Sequence, residues 1–150
     1  MIFRGTFDHA LDAKHRLTIP AKFRAALAEG VVLAASHEVQ TGAPRTVGIW
    51  TPSDYDSYTS RTLGSLNPAT PTARELSRFF FGMSADLELD SAHRVMIPAH
   101  LMAYAGLSKE VTVTGAGDHL EIWDRQRHAQ NLEDVLTRIP DLTASLGHTA

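Results

Sequence analysis

The sequence predicts an α+β fold made of two tandem ββαββ units with flanking helices, and three observations carry that prediction: an internal repeat, alternating apolar positions inside each copy, and paired Thr-Pro helix starts between the copies. The repeat is the strongest. Leu11-Asp12-Ala13-Lys14-His15-Arg16-Leu17-Thr18-Ile19-Pro20-Ala21 aligns without gaps on Leu89-Asp90-Ser91-Ala92-His93-Arg94-Val95-Met96-Ile97-Pro98-Ala99, with 7 of 11 positions identical. Each copy is followed by a β-branched run, Val31-Val32-Leu33 or Val111-Thr112-Val113, and then by Ile49-Trp50 or Ile122-Trp123. The similarity therefore spans two whole units. From Asp to Ile is 37 residues in the first and 32 in the second, which places about five extra residues in the Gly- and Pro-bearing loop Ser36 to Thr46.

The elements follow in order. Asp12 to His15 and Asp90 to His93 are turns. Arg16 to Ile19 and Arg94 to Ile97 alternate, so Leu17 and Ile19 share one strand face and Arg16 and Thr18 the other, with the arginine side outward. Pro20 and Pro98 suit the first turn of a helix, where a missing N–H costs nothing, and Gly106 suits the end of the second such helix. The Val31 and Val111 runs read as strands, with Val47 to Trp50 and His119 to Trp123 as their hairpin partners. Between the units, Thr51-Pro52 and Thr70-Pro71 each offer a hydroxyl cap and a proline at the first helical position. Tyr55, Tyr58 and Leu63, or Leu76, Phe79 and Phe80, then recur at helical spacing and read as packing. A last helix runs from Asp124 to about Arg138, before Pro140, leaving a frayed tail to Ala150. The divisions predicted are 5–53 and 82–125 for the units, 54–81 for the linking helices, and 126–150 for the C-terminal helix and tail.

Composition narrows the function. The chain is 150 residues and 43% hydrophobic, enough for a core, and its apolar runs fall far short of a membrane span. The N-terminus meets charge too early for a secretory signal, so a cytoplasmic location is expected. The absence of cysteine agrees with a reducing compartment and removes disulfides, thiolate metal sites and cysteine nucleophiles. Net charge is −3, but it is unevenly spread. Residues 1–24 hold Arg4, Lys14, Arg16, Lys22 and Arg24 against Asp8 and Asp12, a local +3, while the remainder carries −6.

With both units in view, the chain resembles the MraZ family of bacterial regulators, whose members carry two tandem AbrB-like (SpoVT-AbrB) units. The matching residues are Phe3-Arg4-Gly5, Leu11 to Lys14, Arg16 to Arg24, Leu89-Asp90, Arg94, Ile97 to Ala99, Tyr104 to Leu107, Gly115, Gly117 to His119 and Glu121 to Trp123, covering roughly residues 1 to 130. The resemblance implies a double swapped-hairpin β-barrel and an octamer-like homo-oligomeric ring. It also implies binding of double-stranded DNA at short direct repeats upstream of the division and cell-wall gene cluster, with nucleoid association. Two departures stand out. Family members usually have glycine before the motif arginine, where this chain has His15 and His93; histidine tolerates positive φ better than most residues. And where the first unit has Lys14, Lys22 and Arg24, the second has Ala92, His100 and Met102, which puts equal DNA contact by the two units in doubt.

Arginine's planar fork grips phosphate or the guanine edge with two hydrogen bonds, and lysine supplies a point charge. Arg4, Lys14, Arg16, Lys22 and Arg94 are therefore the candidate DNA contacts. The competing reading pairs Asp12 with Arg16 and Asp90 with Arg94 to brace the turns, and both can hold in part. No catalytic residue, metal ligand, cofactor or membrane contact is expected. The eight histidines include no H-E-x-x-H helix, and Asp118 and Glu121 read as loop and strand-edge residues. The reading is of a non-enzymatic DNA-binding regulator. Its main competitor is an oligomeric scaffold of the same fold without DNA binding, and a histidine-based metal enzyme is a distant third.

Overall fold

A computed structural model describes residues 1–37 and 40–147. The first unit comprises β1 (Thr6–Ala10), β2 (Arg16–Thr18), a single 3-10 turn at Ala21–Phe23, β3 (Val31–Ala35) and β4 (Val47–Trp50). Helices α1 (Pro52–Leu63) and α2 (Pro71–Gly82) follow. The second unit is β5 (Ser84–Leu87), β6 (Arg94–Met96), α3 (Ala99–Ala105), β7 (Glu110–Gly115) and β8 (Leu120–Asp124), and α4 (Arg125–Gly147) closes the described chain. The local signals act as physical chemistry predicts. The hydroxyls of Thr51 and Thr70 accept the backbone N–H of Asp54 and Ala73, each at 3.2 Å, with proline at the first helical position. Gly106 ends α3 in the left-handed region at φ 61°, a conformation open to glycine at little cost.

The strands do not stay within their own units. Six form one antiparallel sheet in the order β1-β7-β8-β4-β3-β5, so β1 of the first unit pairs with β7 of the second, and β5 of the second pairs with β3 of the first. The hairpins β3–β4 and β7–β8 meet where β4 pairs with β8. Strands β2 and β6 form a separate two-stranded ribbon with Arg16 opposite Met96, Leu17 opposite Val95 and Thr18 opposite Arg94. As described, the large sheet is open, with β1 and β5 at its edges, rather than closed into the barrel that the resemblance implies. Strands β2 and β6 pair with each other and with neither edge strand, so they do not close it.

One core serves both halves. Leu17, Ile19 and Phe23 of the first unit pack with Val95, Ile97 and Leu101 of the second, over Leu33, Ile49, Val113 and Ile122 from the sheet. A fully buried side chain of this size contributes roughly 1.5–3 kcal/mol, and neither unit buries its apolar face alone. Close approach at one edge depends on Gly115, where a Cβ would lie 2.3 Å from the Phe3 carbonyl oxygen.

Two sequence expectations are corrected. The helix after Pro20 is reduced to a 3-10 turn, with Pro20 and Pro98 standing just before the first helical residue. And α4 runs through Pro140 to Gly147, where a frayed tail was expected from residue 140. Proline removes one N–H from a helix, but α4 has no buried residue, so water can take the carbonyl left unpaired. Residues 148–150 lie outside the described residues. The aromatic faces of α1 and α2 find partners inside the chain: Tyr55 donates to the Phe80 carbonyl at 2.7 Å, and both side chains are buried.

Candidate nucleic-acid interface

Each repeat motif folds into the same turn. In the first, the Asp12 Oδ1 accepts the backbone N–H groups of Lys14 and Arg16, both at 2.9 Å, and its Oδ2 accepts Arg16 Nε at 2.6 Å. In the second, Asp90 Oδ1 accepts from the backbone of Ala92 and Arg94, both at 2.9 Å, and Oδ2 accepts Arg94 Nε at 2.9 Å. A carboxylate that receives several donors resists protonation. The Asp12 carboxyl is held down to about 2, first by the Arg16 backbone N–H, against a smaller opposing effect of desolvation and with further help from the Arg16 side chain and the Lys14 N–H. Asp90 is lowered for the same reasons, led by the Arg94 backbone N–H. Each brace is fully present above the ordinary aspartate range and is lost as pH falls through the lowered value.

The turn geometry explains the histidines. His15 and His93 sit at φ 58° and 60°, the left-handed conformation that L residues other than glycine, asparagine and aspartate seldom adopt. Their carbonyls face the other unit, His93 O accepting Ile19 N–H and His15 O accepting Ile97 N–H, both at 2.9 Å. Each turn is thus built by one half and clamped by the other.

Pairing of β2 with β6 places Arg16 and Arg94 diagonally on the outer face of the ribbon, opposite the buried Leu17 and Val95. Arg94 Nη1 also lies 3.8 Å from Asp12 Oδ2, so Arg94 faces two carboxylates. Lys14 is exposed at the tip of the first turn, and Arg4 is exposed ahead of β1. Lys22 is held elsewhere. Its ammonium lies over the rings of Phe7 and Phe23, 5.4 and 5.0 Å from their centroids. Arg24, part of the +3 segment, turns inward and donates from Nε to the Ile19 carbonyl at 3.0 Å. Of the candidate residues, Arg16 and Arg94 are brought together on one face; Lys22 is anchored on aromatic rings.

A second polar cluster joins Asp118 and Glu121, expected as separate loop and strand-edge residues, to His119 and Trp50. His119 stacks on Trp50 at 4.1 Å between centroids and 4° between planes, with its Nδ1 2.8 Å from Asp118 Oδ1 and Nε2 3.9 Å from Glu121 Oε2. The signal was present in period two: Leu120 and Ile122 enter the core, which sends His119, Glu121 and Trp123 to the opposite face of β8. Among the described residues no group of three or more His, Asp or Glu side chains is placed to hold a metal ion, and no helix is long and apolar enough to cross a membrane.

Two interlocked copies of an Asp-braced arginine turn, carried on one outward ribbon, define a tandem-repeat α+β protein that presents paired guanidinium groups from a strand scaffold. Comparison with known proteins supplies the family: the chain belongs to the MraZ family, described as MraZ protein, putative antitoxin-like, and matches it over residues 2–79 and again over 80–140. It is similar to the transcriptional regulator MraZ of Dictyoglomus thermophilum, 38% identical over 147 residues, covering 97% of this chain and 96% of that one. Similar proteins of the same name occur in Mycoplasmoides gallisepticum, 33% identical over 97% of each chain, and in Roseiflexus castenholzii, 36% identical over 97% of this chain and 93% of that one.

Proposed function

We propose that the chain is a sequence-specific DNA-binding transcriptional regulator, and the observation that carries the proposal is the diagonal placement of Arg16 and Arg94 on the outer face of the β2–β6 ribbon. The brace to aspartate engages Nε of each guanidinium. The Nη groups are the donors for phosphate or a guanine edge, and the brace reduces the side-chain freedom lost on binding. Arg4 and Lys14 serve as flanking phosphate contacts, with Lys22 entering by release from its rings. Asp12 and Asp90 act as positioning residues. The units that perform this are taken as 5–53 and 82–125, joined by 54–81, and their exchanged strands as the open counterpart of a swapped-hairpin barrel.

A single ribbon binds weakly, so the reading includes a homo-oligomeric, octamer-like ring that presents the ribbon repeatedly to short direct repeats upstream of the division and cell-wall gene cluster. Support comes from α4, whose Leu132, Leu136, Ile139 and Leu142 are 45–61% exposed. Such a stripe is unusual on a monomer. The family relatives' description as transcriptional regulators agrees with a non-enzymatic, cytoplasmic, nucleoid-associated role.

The test is a mobility shift of the chain on its own upstream DNA across a salt series. Because most contacts are cation to phosphate, affinity is expected to fall steeply, by orders of magnitude between low and physiological salt. Absence of binding, or binding indifferent to salt, overturns the proposal.

A further inference from the structure

The outward face of the β2–β6 ribbon is not wholly basic. Side chains alternate along a strand, so burial of Leu17 and Val95 sends Arg16 and Thr18 outward from β2, and Arg94 and Met96 outward from β6. Register sets them in two rows, Arg16 opposite Met96 and Thr18 opposite Arg94. Met96 is 57% exposed, and among the described residues it is the one large apolar side chain so exposed on a strand. Repeat symmetry does not demand it, for its counterpart in the first unit is Thr18, smaller and polar. A lone apolar residue on a surface is ordinary. This one stands inside the face that carries both braced arginines.

The braces also settle which groups stand out. Held through Nε to Asp12 and Asp90, Arg16 and Arg94 are half-buried, while Met96 and Thr18 are exposed. A partner laid on this face therefore meets the thioether no later than the guanidinium groups.

The dimensions and chemistry of duplex DNA select what Met96 meets. A two-stranded ribbon enters the major groove, about 12 Å wide, and not the minor groove, about 6 Å wide. Directly opposed Cβ atoms of an antiparallel pair are about 4.5–5.5 Å apart, and successive base pairs about 3.4 Å, so Arg16 and Met96 reach the same or neighbouring base pairs. Phosphates and the donor and acceptor edges of bases are poor partners for a thioether. The base edges of the major groove offer one apolar group, the C5-methyl of thymine.

We propose that Met96 is a specificity residue of this interface, packing on the C5-methyl of a thymine beside the base that Arg16 contacts. The inference rests on the DNA-binding reading and deepens it by naming a base. Methionine suits the role, because its unbranched, polarizable side chain adapts to the surface it covers. Thr18, in the corresponding place beside Arg94, has a shorter reach and a hydroxyl that bonds to any base edge. Thymine is thus read on the Arg16 side of the ribbon, and the two rows do not read alike.

The experiment measures the affinity of the full chain for its own upstream DNA, prepared with thymine or with deoxyuridine at every thymine position. That exchange removes the methyl groups and keeps every hydrogen-bonding edge and every phosphate. The parent should bind the deoxyuridine duplex about fourfold more weakly for each methyl contacted, and roughly tenfold or more where several protomers engage. Met96→Ala should lose a similar factor on the thymine duplex and show no preference between the two DNAs, while Met96→Leu should keep most of the preference. Comparing both changes in one cycle cancels any effect of deoxyuridine on the duplex itself. The thermal midpoint and mass of Met96→Ala should match the parent, since the side chain is largely exposed. Equal affinity of the parent for both duplexes, or an undiminished thymine preference in folded Met96→Ala, overturns the inference and leaves the DNA-binding reading standing. A lower mass for Met96→Ala makes the residue a contact between copies and likewise overturns it. Failure to bind either duplex removes the DNA-binding reading and this inference together.

Discussion

Arg16 and Arg94 occupy equivalent turns but not equivalent fields. Arg16 answers to Asp12, whereas Arg94 is bonded to Asp90 at 2.9 Å and faces Asp12 at 3.8 Å, and its turn carries Ala92 where the first carries Lys14. A guanidinium between two carboxylates offers a weaker attraction to phosphate. Arg16→Ala is therefore expected to come near to abolishing DNA binding, since a good arginine–base contact is worth roughly 1–3 kcal/mol and its loss recurs in every engaged protomer. Arg94→Ala should produce a clear but smaller loss. Mobility shifts on variants shown by circular dichroism to be folded decide it; parent-like binding by Arg16→Ala with loss in Arg94→Ala reverses the assignment. The histidines before each arginine make a second prediction. At φ 58° and 60° they carry strain that glycine lacks, so His15→Gly and His93→Gly should each stabilise the fold by about 1 kcal/mol. For a chain of this length that is a rise of roughly 2–4 °C in Tm, and a fall in Tm would show that the imidazoles contribute more than the turn costs.

At the scale of elements, the caps and turns were legible because their causes are local. Thr70 with Pro71, Gly106, and the Asp12 and Asp90 turns each act within a few residues of chain. Thr70→Ala removes the acceptor for Ala73 N–H and should cost about 1 kcal/mol, measured as a lower thermal or urea midpoint. No change would mean that packing of α2 through Phe79 and Phe80 holds its start without the cap. The length of α4 was not legible. Proline is a stop signal in a helix that must pack, and sequence alone does not tell that this helix stands clear of the core. The grouping of Trp50 and His119 with Asp118 and Glu121 was not legible for a related reason. Its members come from β4 and from β8 with the turn before it, which are far apart in sequence and adjacent only through the pairing of Gly48 with Glu121 and Ile49 with Leu120.

Across the whole molecule, among the described residues, most of the exposed large apolar side chains lie on α4; on α2 Phe81 is exposed as well, while Tyr55 of α1 and Phe80 of α2 are taken up within the chain. Light scattering at micromolar concentration is expected to give a mass well above a dimer. Leu136→Glu combined with Leu142→Glu should reduce that mass while leaving the thermal midpoint close to the parent, since both side chains are about half exposed. A strictly monomeric parent would remove the ring and with it the multivalent account of DNA affinity.

The sequence by itself determined the repeat, the outward arginines, the apolar strand faces, the helix starts and the MraZ family, because each is written in neighbouring residues or in a direct match between the two copies. Tertiary structure decided how the copies combine. Two such similar motifs can pair within themselves or with each other, and local preference is nearly the same either way. The choice falls to burial: exchange of β1 and β5 and pairing of β2 with β6 put Leu17, Ile19, Val95 and Ile97 into one shared core. That choice also sets Arg16 beside Arg94 and Trp50 against His119, contacts no spacing along the chain could specify.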